Sequence, residues 1–534
     1  MKQYKAAALM RLRRLVLALP TLILVGCTSA VKAPFEMPQA EWALPAAADG
    51  VLAQIESDVT ARVQPTRDQT GNSNEGISGF KLLNSGEDAL RWRLALIDSA
   101  TQSIDTQYYL YHGDSTGLLF TSRLLEAADR GVKVRIIIDD IGTLALSPSQ
   151  AKLRDSMGAL MIAHPNISLR LFNSSGNRDL LGRGWNFATE FAQLNHRMHN
   201  KSLTVDNHAT IVGGRNIGDE YIGLNTHFNF RDIDVLGFGP VARQTSSVFD
   251  AFWNSGWVIT TDPSTQTKAE GVYATQRLAL ERELRQSEAL ERFSLAARSW
   301  EAEFDALTPS LHLGPSQVLT DKPGLDGIST DVFDWVTQNL PKVKTELLIT
   351  NAYLIPETQG VAIFDDLVAA GADVTIHTNS LASHDVPAVN SHYKVWRKPI
   401  LESGASLFEA RYDASIKTSI VDTKPISARY MGLHSKSLVI DRRFAVIGSA
   451  NLDPRSAFLN SEMIAIIDSK SLAEELAQII LLDTSAANSW EVSLNEKDQI
   501  IWSNDTESVS RQPARNGWQR FQDLFFMLFP KRLY

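Results

Sequence analysis

Two histidines and two lysines recur in this chain at one fixed spacing. His199-Asn200-Lys201 and His434-Ser435-Lys436 each open an H-x-K-x4-D run, closed by Asp206 and Asp441. Asn216 and Asn451 follow at the same offset, seventeen residues after each histidine. One copy would be weak evidence, but a matched pair is not chance. An imidazole serves as nucleophile or general acid and base, while an ammonium and a carboxamide hold oxyanions. Positions one and three share a face of an extended chain, so each His and Lys address the same group. Two histidines, one from each copy, could meet at one phosphate.

Each imidazole needs a partner that fixes its tautomer. Glu462 lies twenty-eight residues after His434. His227 stands at that offset from His199, so the first carboxylate is sought nearby, at Asp232 or Asp234. They alternate on one strand, and Asp232 is favoured. Gly213-Gly214-Arg215 and Gly448-Ser449-Ala450 precede the asparagines and let an anion approach closely. Asp206 and Asp441 are counted with the catalytic set, although strand ends favour bracing by charge pairing. The nine other histidines are scattered without metal-ligand spacing, so neither a metal nor another cofactor is expected.

The flanking sequence supplies the frame. Residues 103–111 alternate and read as a strand, 117–130 have helical spacing, and 132–139 read as a buried strand. Residues 346–354, 360–370 and 372–379 repeat that β-α-β order. Gly131 and Gly371 stand at the helix ends, where a left-handed cap is expected. The chain therefore reads as an internal duplication of α/β class: two similar halves, 80–261 and 321–490, each a mixed sheet flanked by helices, with the site between them. Residues 262–320 read as a helical connector. Residues 491–534 end in an aromatic-rich helix around Trp518, Phe521, Leu524, Phe525 and Phe529, suited to a lipid interface or to the protein's own sheet.

The N-terminus is distinct. Residues 1–27 carry five cations and no acid, then an apolar run too short for a comfortable membrane span. It ends Leu24-Val25-Gly26-Cys27, and Cys27 is the only cysteine, so no intrachain disulfide forms. Residues 28–79 read as a tether and lead-in. The chain has a net charge of −9, and without those five cations the remainder is more acidic still. Such a surface repels polyanions, which argues against a nucleic-acid partner.

The N-terminal segment resembles a bacterial lipoprotein signal peptide. That implies cleavage before Cys27, lipid attachment there and a periplasmic-side envelope address, with the outer membrane favoured because Thr28 follows. The paired motifs resemble the phospholipase D superfamily. Arg197–Ser202, Val212–Asp219, Thr378–Val386 and Asp453–Ser456 narrow the resemblance to bacterial cardiolipin synthases of the C type. The resemblance implies two-step phosphatidyl transfer through a phosphohistidine. His199 is the expected nucleophile and His434 the acid and base, with the reverse assignment open. Lys201, Lys436, Asn216 and Asn451 would hold the phosphate oxygens; His384 and His392 lie in a family-like segment, where contact with substrate stands as the alternative to a surface or packing role. Phosphatidylglycerol, with or without phosphatidylethanolamine, is the implied substrate at a membrane surface; protein partners are not indicated. The alternatives are a hydrolase making phosphatidic acid, a nuclease, or a lipoprotein without activity.

Overall fold

The computed structural model describes residues 33–70, 76–143, 148–174, 195–261 and 273–529. The expected signal peptide and Cys27 lie outside the described residues. In the first half, strands Ser103–Tyr108, Lys133–Asp139 and Ile167–Phe172 pair in parallel. Helix Ser115–Asp129 links the first two. Lys133–Asp139 is buried beyond its first residue, as a near-continuous apolar run in a parallel sheet should be. In the second half, Glu346–Asn351, Asp373–Asn379 and Ser406–Ala410 pair the same way, with helix Glu357–Ala369 as the link. Gly131 and Gly371 take φ of +95° and +91°, the left-handed conformation that ends a helix without a Cβ penalty.

Each motif forms a hairpin beside the first parallel strand of its half. Ser202–Val205 turns into Ala209–Gly213, and Lys436–Ile440 into Phe444–Gly448. Strand His312–Thr320 then joins the halves. Its first residues pair with Ile77–Phe80 and its last with Met463–Ile467. The two sheets therefore run into one continuous pairing order, ending at Val258–Thr260 on one side and Ser508–Val509 on the other among the described residues.

Two boundaries differ from expectation. The connector holds helices Tyr273–Gln286 and Glu301–Leu307, but its last nine residues are this joining strand, because two sheet edges need backbone partners there. The stretch read as a tether lies extended along the first half. Ala43 N–H donates to Asp250 Oδ2 at 2.9 Å and Trp253 Nε1–H to Glu41 at 3.0 Å, and helix Val51–Thr70 follows.

The C-terminal helix, Gly517–Phe526, packs with its polar side inward. Asp523 accepts from Asn390 at 2.6 Å and pairs with Lys394 at 2.7 Å. Gln519 donates to the Leu381 carbonyl at 2.5 Å. The opposite side presents Trp518, Phe521 and Leu524 at 64%, 53% and 65% exposure. Among the described residues, no helix is long and apolar enough to cross a membrane.

Candidate active site between the halves

Two short parallel pairs cross from one half to the other and set the site. Arg197–Met198 pairs with Asn460–Ser461, and the next residues are His199 and Glu462. Phe228–Arg231 pairs with Tyr430–Leu433, and the next residues are Asp232 and His434. Parallel register therefore delivers each imidazole beside a carboxylate of the opposite half. His199 Nδ1 lies 2.8 Å from Glu462 Oε2, and His434 Nδ1 lies 2.6 Å from Asp232 Oδ2. The expectation that each carboxylate serves the histidine of its own half is corrected by this exchange. Asp234 is engaged elsewhere, by Arg93 at 2.9 Å and Arg215 at 3.3 Å.

The tautomers follow from the partners. His199 Nδ1 also faces the Ser449 carbonyl at 3.1 Å. Both neighbours of that nitrogen only accept, so Nδ1 carries the hydrogen and Nε2 keeps a lone pair for substrate. The Asp232 carboxylate imposes the same tautomer on His434. The imidazoles stand edge-on to aromatic rings, His199 to Tyr109 at 5.0 Å and His434 to Tyr221 at 5.3 Å.

Charge is concentrated and largely dehydrated. Burial lowers His199 to about 4, with Lys201 and Lys436 pushing the same way and Glu462 opposing. His434 is also lowered by burial and Lys436, while Asp232 and Asp385 oppose. Burial lowers Lys201 to about 7 and lowers Lys436 as well. Burial alone would raise Glu462 and Asp232, but their histidines and the nearby cations hold both below the usual carboxylate range. Lys436 acts on His199 and Lys201 across the halves, so the two motifs share one field. Each lysine ammonium donates to the carbonyl of its own histidine, 2.5 Å for Lys201, and lies over a tyrosine ring, Tyr109 or Tyr353. Two buried ammonium groups beside two free imidazole nitrogens form a receptacle for an anion.

The remaining expected residues separate into two groups. Asn216 Oδ1 accepts from Leu110 N–H at 3.1 Å, and Asn451 Oδ1 is buried without a hydrogen-bond partner. Asp206 and Asp441 do not reach the site, which corrects their place in the catalytic set. They sit at φ of +53° and +52° in the hairpin turns, where Asp is tolerated. Their carboxylates collect backbone N–H groups of residues 101–103 and 344–346. They brace the incoming strand through amides rather than charge pairs. His384 is stacked on Tyr353 at 5.3 Å, behind Lys436, and His392 lies on helix Pro387–Tyr393.

The sequence reading missed several supports. Ser449 Oγ and Ser456 Oγ donate to Glu462 at 2.5 and 2.7 Å, and Tyr353 donates to Asp385 at 2.7 Å. Ser449 stood in the small-residue run before Asn451 and Ser456 closed the family-like segment Asp453–Ser456, which were the available signals. The tyrosines carried none, because aromatic residues in strands are ordinary.

Comparison with known proteins adds to this geometry. A family model described as cardiolipin synthase, PLD-like domain, matches residues 94–253 and 336–482. The chain is 32% identical to cardiolipin synthase C of Escherichia coli over 461 residues, 84% of this chain and 94% of that protein. It is 24% identical to the major cardiolipin synthase of Bacillus subtilis, over 80% of this chain and 73% of that one. Among solved structures, phosphatidylserine synthase of Haemophilus influenzae superimposes with a TM-score of 0.53 at 13% identity, covering 80% of this chain and 91% of that one. That likeness concerns the fold.

Proposed function

Because the chain belongs to the cardiolipin synthase family of phospholipase D-like proteins, we propose that it makes cardiolipin from two phospholipids by a two-step phosphatidyl transfer. It is a phosphatidyltransferase acting on phospholipid phosphodiesters. The observation that carries the finer reading is the exchanged pairing of His199 with Glu462 and His434 with Asp232. Neither half holds a complete histidine–carboxylate unit, so the site needs both.

In the first step His199 Nε2 attacks phosphorus and His434 gives its proton to the departing headgroup alcohol. In the second, His434 takes the proton of the incoming glycerol hydroxyl of phosphatidylglycerol, which displaces His199. This assignment rests on charge. Burial lowers both imidazoles, but at His199 two ammonium groups add to it against Glu462 alone, whereas at His434 one ammonium group is opposed by both Asp232 and Asp385, which makes His434 the readier of the two to hold a proton. Lys201 and Lys436 stabilise the phosphorane oxygens.

The membrane approach is part of the same proposal. A lipid anchor at Cys27 in the cell envelope would hold the protein at the surface. The outward aromatic side of helix Gly517–Phe526, with Arg511 and Arg520 adjoining, suits the lipid interface better than water.

The test is an assay in mixed micelles with labelled phosphatidylglycerol, with and without phosphatidylethanolamine. Cardiolipin with released glycerol identifies phosphatidylglycerol as donor. Cardiolipin with released ethanolamine, only when phosphatidylethanolamine is present, identifies the latter. Phosphatidic acid as the sole product overturns the transferase reading in favour of hydrolysis.

A further inference from the structure

Beside the exchanged pairs the two halves stop being alike. Tyr111 bridges to Ile217 as Leu354 bridges to Leu452. His112 N–H donates to the Ile217 carbonyl at 2.9 Å, and Ile355 N–H to the Leu452 carbonyl at 2.7 Å. These matched contacts put His112 and Ile355 at equivalent corners, each where a strand leaves the sheet beside the asparagine of its motif. The first-half corner is polar: His112 pairs with Glu220 at 3.1 Å, and Asp114 accepts from Asp219 N–H at 2.8 Å. The second-half corner holds a cavity of about 370 Å3. Its walls include Phe333, Val336, Leu340, Ile363, Phe364 and Phe458, from three helices and the turn Leu340–Lys342. Phe458 is 58% exposed and packs on Phe333 at 5.3 Å, which gives the mouth an apolar side, while Glu357, Thr358 and Gln359 also line the cavity. The volume is that of a ligand site, within the usual range of about 300–1,000 Å3.

Two residues tie this cavity to the reacting centre. Ser456 lines it and donates to Glu462, whose other oxygen pairs with His199. Asn451 lines it as well, is 8% exposed, and holds its Oδ1 buried without a hydrogen-bond partner. The Asn451 carboxamide therefore gives the cavity a polar inner end at the phosphate site, with apolar walls leading away from it. The molecule that matches is amphipathic, with its polar end at the histidines and its hydrocarbon between the helices.

We propose that this cavity receives a fatty acyl chain of the phospholipid whose phosphate lies between His199 and His434. The proposal rests on the phosphatidyl-transfer reading and adds direction to it. A pseudo-symmetric pair of motifs has no preferred orientation for substrate. An apolar corner on one side and a carboxylate-rich corner on the other give it one, with hydrocarbon over the second half.

Val336 and Ile363 are half-buried wall residues outside the phosphate site, so Val336→Trp and Ile363→Phe fill the cavity from opposite sides. Turnover is compared on dioleoyl- and dihexanoyl-phosphatidylglycerol, and binding of cis-parinaric acid, a fluorescent fatty acid, is measured in parallel. Both variants should lose at least about tenfold in kcat/KM on the dioleoyl lipid, the worth of about two buried methylenes, and change less than about twofold on the dihexanoyl lipid. Parinarate binding should weaken to match. Equal losses on both lipids, or unchanged parinarate binding, overturn the acyl site. Parinarate binding that the variants abolish, in a protein that converts neither lipid, upholds the cavity's ligand and defeats the transferase reading instead.

Discussion

At the scale of single residues, the site is two buried imidazoles and two dehydrated ammonium groups waiting for an anion. Glu462→Gln removes the acceptor that orients His199 and should lower kcat by roughly 10²–10⁴-fold. Its acid limb should move to lower pH, because Glu462 is what raises the His199 value. Asp232→Asn acts on the other histidine. With radiolabelled lipid it should slow both the formation and the discharge of phosphohistidine on His199, because His434 is the acid of the first step and the base of the second, whereas Glu462→Gln should act mainly on its formation. The same charges set stability. Lys201 titrates near 7 in the folded chain against an ordinary 10.5, so the folded state sheds its proton first and gains stability as pH rises between those values. His199, near 4 against 6.5, resists protonation when folded, so stability is lost as pH falls through that window. Inorganic phosphate should relieve the apposed cations and raise Tm, stabilising by about 2.7 kcal/mol at a hundred times its Kd. Lys436→Met should abolish the gain. A phosphate-independent Tm in the unsubstituted protein would contradict the anion receptacle.

At the scale of elements, the C-terminal helix inverts the usual arrangement. A surface helix buries its apolar stripe, but this one buries Gln519 and Asp523 and exposes Trp518, Phe521 and Leu524. Replacing those three by Ser should leave Tm within about a degree or raise it, since they lose little contact, surface substitutions usually lying within about 0.5 kcal/mol. It should also weaken sedimentation with anionic phospholipid vesicles by an order of magnitude or more. Unchanged vesicle binding would remove this helix from the membrane-facing surface. Asp523→Ala should behave in the opposite way, lowering Tm, because it leaves Asn390 and Lys394 without their acceptor.

At the scale of the whole molecule, the halves are joined by more than the linker. Strand His312–Thr320 belongs to both sheets, the two short parallel pairs exchange site residues, and Arg231 is paired with Asp483 at 2.9 Å with both side chains about 1% exposed. Asp483→Ala would strand a buried guanidinium between the halves and should destabilise by about 3–5 kcal/mol, read by urea unfolding. Because Arg231 immediately precedes Asp232, activity should fall together with stability rather than after it.

The chain alone specified a great deal. The repeated H-x-K-x4-D runs, the matched asparagines and the glycines closing two helices all depend on local spacing, and local spacing is written in order along the chain. The β-α-β units followed from periodicity for the same reason. Asp232 was legible only as one of two candidates, since residues 217–231 put a longer excursion between Asn216 and its carboxylate than residues 452–461 put after Asn451. What tertiary structure decided was partnership. The exchange of Glu462 and Asp232 between halves depends on strand register across 263 and 202 residues of chain, which no spacing encodes. The withdrawal of Asp206 and Asp441 into backbone bracing depends on the turn's left-handed conformation and on which strand lies next to it. The contrast between an apolar corner and an acidic one arises because each is assembled from separate segments that only packing brings together.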